Sequence, residues 1–194
     1  VNLSLTTLNL SNNAIKQQGA RAIADALEVN SSLTSLNLCG NSIQEGARAI
    51  AYALKVNSFL TSLHLGNNTI EQEGAIAIAD ALKVNSSLTH LNLGWNSIKQ
   101  VGAMAIADAL QVNFSLTSLN LCSKCTYFDE FIANALMYNP TLLHLTMLGK
   151  DCYALQGFVS TCYNLECLLE ILMGKDGAHA LGIAFCIKSR HLSF

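Results

Sequence analysis

The most reactive side chains belong to seven cysteines, Cys39, Cys122, Cys125, Cys152, Cys162, Cys167 and Cys186, six of them in the last 73 residues. An odd count without regular spacing argues against a disulfide framework. Two thiolates spaced as Cys122-x-x-Cys125 can share one tetrahedral zinc ion, but no second closely spaced pair completes the ligand set. Free thiols in the interior or in loops are the expectation, with no metal.

Three histidines, His64, His90 and His144, fall between leucines in short alternating segments. If those segments are neighbouring parallel strands, His90 and His144 share a column two strands apart, about 10 Å by strand spacing. That is too far for a shared proton or a common metal, and no carboxylate occupies the adjacent strand positions to orient a ring. The chain also has no phosphate-cradling glycine loop, no nucleophile elbow and no H-E-x-x-H helix. The expectation is a protein that is not an enzyme and holds no cofactor.

Charge excludes further classes. Charged residues are 12% of the 194 and the net charge is -2, so no field exists to gather phosphates or anionic lipid. Nucleic acid and membrane are therefore not expected partners. No apolar run approaches the roughly 18 to 20 residues of a spanning helix, and VNLSLTTLNL has neither the basic flank nor the apolar centre of a signal peptide. N-x-S/T sequons at Asn2, Asn9, Asn30, Asn67, Asn85 and Asn113 arise largely from repeated wording. Glycans at helix-ending turns would disturb packing, which favours a cytoplasmic reading.

The elements that must position these residues come from a repeat. Leu8 to Ser35, Leu36 to Ser62, Leu63 to His90 and Leu91 to Ser118 align as units of 28, 27, 28 and 28 residues. Such a period announces a solenoid. Within each unit, leucines such as Leu88, Leu91 and Leu93 alternate as in a short strand, and Ala20, Ile23, Ala24 and Leu27 form a helical stripe beginning just after Gly19. Helices are wider than strands, so stacking bends the array into a horseshoe with parallel strands on the concave side. The fold class is α/β.

Asparagine recurs at two places. Asn13, Asn41, Asn68 and Asn96 follow the strand, where an amide can satisfy the turning backbone from unit to unit, and they are read as a buried ladder. Asn30, Asn57, Asn85 and Asn113 end the helices, where asparagine tolerates a left-handed backbone.

The 28-residue spacing, the L-N-L-x-x-N strand and the G-A-x-A-I-A-x-A-L helix resemble the ribonuclease-inhibitor class of leucine-rich repeats. Within it, G-A-R-A-I-A-D-A-L-E-V-N-S-S-L-T-S-L-N-L is most similar to the C-terminal sensor repeats of NOD-like receptors of the CARD-containing type, and to relatives in protists and intracellular bacteria. The resemblance is strong over residues 1–121 and weaker beyond. It implies a right-handed βα superhelix and a protein-binding role.

A single leucine-rich repeat domain is thus expected over 1–194, regular to 121 and degenerate or capping from 122. The fifth unit, Leu119 to His144, carries Lys124 at the ladder position with Cys125 beside it; Ala154 to Cys162 reads as a helix, Leu165 to Ile171 as a strand and Gly177 to Lys188 as a cap. Val1 to Leu5 matches the V-N-x-S-L inside later units, so the chain is expected to be a fragment of a longer protein.

Alternation places three columns on the concave face: Thr7, Ser35, Ser62, His90, Ser118 and His144; Asn9, Asn37, His64, Asn92, Asn120 and Thr146; and Ser11, Cys39, Gly66, Gly94, Cys122 and Leu148. Asn37, His64, His90, Asn92, Trp95, Ser118, Asn120 and His144 are the candidate partner-binding residues. Trp95, just beyond the fourth strand, suits an interface anchor and equally suits a side chain packed on the next loop. The columns lack the carboxylates needed to hold a basic ribonuclease and the arginine expected of a Ran-type GTPase activator. On the other face Arg21, Asp25, Glu28, Arg48, Lys55, Asp80, Lys83 and Asp108 mix both signs as a solvated surface. The resulting reading is a sensor or scaffold that binds a protein on its concave surface. The alternative is a GTPase activator or bacterial effector on the same scaffold.

Overall fold

The structure is a computed structural model and describes residue 2 and residues 4–121, 129–136 and 138–146. Strand and helix alternate: β1 (Thr7–Asn9), α1 (Lys16–Val29), β2 (Ser35–Asn37), α2 (Gly46–Val56), β3 (Ser62–His64), α3 (Gln72–Leu82), β4 (His90–Asn92), α4 (Gln100–Leu110), β5 (Ser118–Asn120), α5 (Asp129–Leu136) and β6 (His144–Thr146). The six strands form one parallel sheet in chain order. The helices pack against one another in the same order.

Strand register follows from the alternation. Leu8, Leu36, Leu63, Leu91, Leu119 and Leu145 pair in a single row, because a slip of one residue would turn every leucine to solvent. Against this row pack the helix stripes, for example Ala47, Ile50, Ala51 and Leu54 of α2, all buried. Each fully buried leucine or isoleucine stabilises the array by about 1.5 to 3 kcal/mol. At the first unit Leu8 and Leu10 are only half-buried, since a neighbour covers them on one side alone.

The buried stripe of α1 begins at Ala20, just after Gly19, as the spacing predicts, while α1, α3 and α4 themselves start two or three residues ahead of the unit's glycine and α2 starts at Gly46. The glycine serves contact rather than initiation: a Cβ on Gly46 would lie 2.7 Å from the Cβ of Ala20 on the preceding helix. One local expectation differs from the structure: the helix-ending asparagines are not left-handed. Asn30 (φ -86, ψ 127) and Asn57 (φ -77, ψ 122) are extended. Left-handed backbone instead falls in the loops after β1, β2, β3 and β4, at Asn12, Gly40, Asn67 and Trp95 among others.

Lys124, Cys125, the other cysteines after Cys39, and the helix, strand and cap expected beyond residue 147 lie outside the described residues.

Candidate protein-binding surface

Inter-strand pairing sets the candidate residues in two columns. Thr7, Ser35, Ser62, His90, Ser118 and His144 are successive partners, as are Asn9, Asn37, His64, Asn92, Asn120 and Thr146. His90 and His144 therefore share a column with Ser118 between them, while His64 belongs to the other column. His90 and His144 are exposed; Asn37, His64, Asn92, Ser118 and Asn120 are half-buried.

Several of these side chains already have local partners. Asn37 Oδ1 accepts from the Cys39 N–H at 2.9 Å, and Asn92 Oδ1 accepts from the Gly94 N–H at 2.9 Å. These Asx turns fix the amide and leave its Nδ2 to offer a partner. His64 Nε2 lies 3.3 Å from Ser62 Oγ, and His90 Nδ1 lies 2.8 Å from Thr89 Oγ1. Cys39 is half-buried in the third column; burial pushes its thiol up, and a backbone hydrogen bond with Gly66 opposes that in part. Trp95 is 55% exposed and adopts φ 58. Such a backbone disfavours a bulky residue, and Asn12, Gly40 and Asn67 fill the equivalent place in the other units.

Beneath the columns, amides tie the units together. Asn68 Nδ2 donates to the carbonyls of Leu38 (2.8 Å) and Leu65 (3.0 Å), and its Oδ1 accepts from the Asn41 N–H at 2.8 Å. Asn96 repeats the pattern with Leu65, Leu93, Asn68 and Ile70, and Asn41 with Leu10, Leu38 and Asn13. Asn13 departs from the expected buried ladder: it is exposed, and its amide donates only to Ser11. The reason is positional, because rungs reach backwards and no earlier unit stands before β1 among the described residues.

Two further rows tie the units: the helix-ending asparagines, read from the sequence only as helix closers, and a row of threonines that the sequence reading did not single out. The helix-ending asparagines form a second ladder: Asn85 Nδ2 donates to Leu54 (2.7 Å) and Asn57 (3.0 Å), while its Oδ1 accepts from Ser87 and Leu88. Asn139 extends that ladder into the fifth unit. Thr34, Thr61, Thr89 and Thr117 each donate a hydroxyl to the preceding unit's threonine carbonyl. The signal for both is the recurrence of V-N-x-x-L-T from 1–6 to 112–117, of which 138–143 keeps only Asn139 and Leu142.

Among the described residues no group of His, Cys, Asp and Glu could hold a metal ion, and no helix is long and apolar enough to cross a membrane. The charged residues of the helical face are exposed, with one ion pair, Lys83 to Asp80 at 3.1 Å, among the described residues.

One strand and one helix per unit, a single parallel sheet in chain order and interunit amide rows define a leucine-rich repeat solenoid. The fold is that of a leucine-rich repeat solenoid, an architecture that generally offers an extended surface to other proteins. A family model described as Leucine Rich repeat matches residues 1–24, 56–79 and 84–107. No curated protein sequence matches the chain. Among solved structures it is similar to "Leiomodin-1 Actin-Binding Site 2 (ABS2)", at 28% identity and a TM-score of 0.62 over 71% of this chain and 82% of that one. It is similar in fold to the tropomodulin C-terminal domain of Caenorhabditis elegans, at 16% identity and a TM-score of 0.61 over 71% and 86%. It also shares the fold of the leucine-rich repeat-containing protein LegL7 from Legionella pneumophila, at 24% identity and a TM-score of 0.64; this likeness takes in 93% of the chain and 62% of LegL7.

Proposed function

We propose that the chain is a binding module rather than an enzyme, and that its concave sheet recognises a protein partner as the sensor or scaffold part of a cytoplasmic protein. The observation that carries this is the unbroken register of β1 to β6, which holds the outward columns on a frame already ordered before binding. Little conformational entropy is then lost on association. Asn37, His64, His90, Asn92, Trp95, Ser118, Asn120 and His144 supply the contacts. The partner patch is uncharged, since a charge pressed onto these columns would lose water without gaining a counter-ion. The resemblance of the repeats to those of NOD-like receptors supports the sensor role.

Actin is the first partner to try, because the leiomodin-1 structure is titled an actin-binding site and shares 28% of its residues with this chain. In an anisotropy titration with labelled monomeric actin, Ser118→Arg and Asn92→Arg abolish binding and Asp80→Ala leaves it intact. Where actin gives no signal, a photo-crosslinking residue placed at His90 or at Asp80 is compared in cells. A protein captured from Asp80 and never from His90 sinks the concave reading. A GTPase activator or effector is the second reading. It requires GTP hydrolysis by a small GTPase to accelerate with the chain and to revert when one surface side chain is removed.

A further inference from the structure

We propose that the edge of the solenoid where helices hand over to strands is a self-association surface, through which two copies of this chain pair. The concave columns take no part, so this proposal stands or falls independently of the binding role above.

Directly before each asparagine of the second ladder stands an apolar residue: Val29, Val56, Val84, Val112 and Tyr138. The ladder fixes their spacing, because Asn57, Asn85 and Asn113 each donate to the preceding asparagine's carbonyl at 3.0 Å. Neighbouring units thus hold these five side chains side by side. An apolar residue here could fold back over the helix end and be covered. Instead all five are between 56% and 68% exposed. Phe59 and Phe114 widen the row. Phe59 replaces a serine, where Ser32, Ser87 and Ser115 each bond a carbonyl of the preceding unit; phenylalanine gives up that bond and stays exposed. Seven of the thirteen exposed large hydrophobics among the described residues therefore lie on one edge, which scattered surface residues would not do.

Size and charge choose the occupant. The seven are each 47% to 68% exposed, and together they approach the several hundred Å² at which an apolar patch marks an interface. Each partner in a stable dimer contributes roughly 800 Å². The segments 29–34, 56–61, 84–89, 112–117 and 138–143 hold no charged residue, so two such edges face each other without like-charge repulsion. An anionic membrane surface would call for a basic rim. The rim has Lys55 and Lys83 set among Asp25, Glu28, Asp80 and Asp108. A two-fold pairing of edges is the arrangement that covers the row with its own complement.

The test is sedimentation equilibrium of the whole 194-residue chain across a wide dilution series. The expected result is a dimer that dissociates on dilution. Val84→Lys and Val56→Lys weaken it about 100-fold or more, because a lysine at the centre of the interface is buried without a partner. Trp95→Lys and Tyr52→Lys, at exposed hydrophobics elsewhere, leave it unchanged. Thermal midpoints near that of the parent confirm that each variant is folded; should a lysine variant unfold, Val84→Thr keeps the shape and still weakens the dimer. A chain monomeric at every concentration overturns the proposal. So does a dimer insensitive to the row but lost with Trp95→Lys or Tyr52→Lys. A monomer that binds phosphatidylserine vesicles through Val84 also overturns it, in favour of a lipid surface.

Discussion

Two rows of asparagine run the length of this solenoid, with the same residue doing similar chemistry at opposite ends of the helices, yet their fates differ. The row after the strands (Asn41, Asn68, Asn96) lies under left-handed loops and gives way to Lys124 in the fifth unit. The row at the helix ends needs no left-handed backbone, with Asn30 and Asn57 extended, and it continues through Asn139. A rung set on ordinary backbone can be repeated without conformational cost. A rung that needs left-handed neighbours depends on Asn, Gly or a strained substitute at each turn. In the sequence, the repeat wording accordingly changes at the ladder position of the strand-to-helix segment while the helix-end asparagine is kept.

The largest expected effect comes from removing a central rung of either row. Asn68→Leu and Asn85→Leu each strand several buried backbone groups and should cost about 3 to 5 kcal/mol, read from urea unfolding. Equal stability of Asn68→Leu and the parent would remove the loop ladder from the account; a large loss at Asn68 with none at Asn85 would leave the comparison one-sided. A smaller contrast separates the middle of a row from its end. Asn41→Ala should cost roughly 2 to 4 kcal/mol and the exposed Asn13→Ala less than about 0.5 kcal/mol. Comparable losses at both positions would mean the rungs act within a unit instead of between units. The smallest effect has the opposite sign. Trp95→Asn relieves a bulky residue of its left-handed backbone and should raise stability by about 0.5 kcal/mol. A fall in the thermal midpoint would show that the indole contributes packing which outweighs the strain.

Much of the concave surface was legible beforehand. Strand side chains alternate with period two and the units have nearly equal length, so counting from one leucine places His90, Ser118 and His144 in one column, and the pairing has them there. Asn13 shows where counting fails. Its spacing matches Asn41, but a rung needs an earlier unit to hold, and position in the stack is not a property of the residue. The backbone at Asn30 and Asn57 is not legible in the residue type for a related reason: asparagine permits left-handed geometry without requiring it, and here the amide's bonds to the preceding unit hold the chain extended.

The sequence by itself determined the period, the face of each leucine and the identity of the outward columns, because these follow from the fixed geometry of a strand and a helix. Only the tertiary structure decided which recurring asparagines go inside. Asn13 and Asn41 stand at the same offset in their units, yet one is exposed and the other is buried. Burial depends on whether the adjoining unit covers a side chain, and no such unit stands before β1 among the described residues.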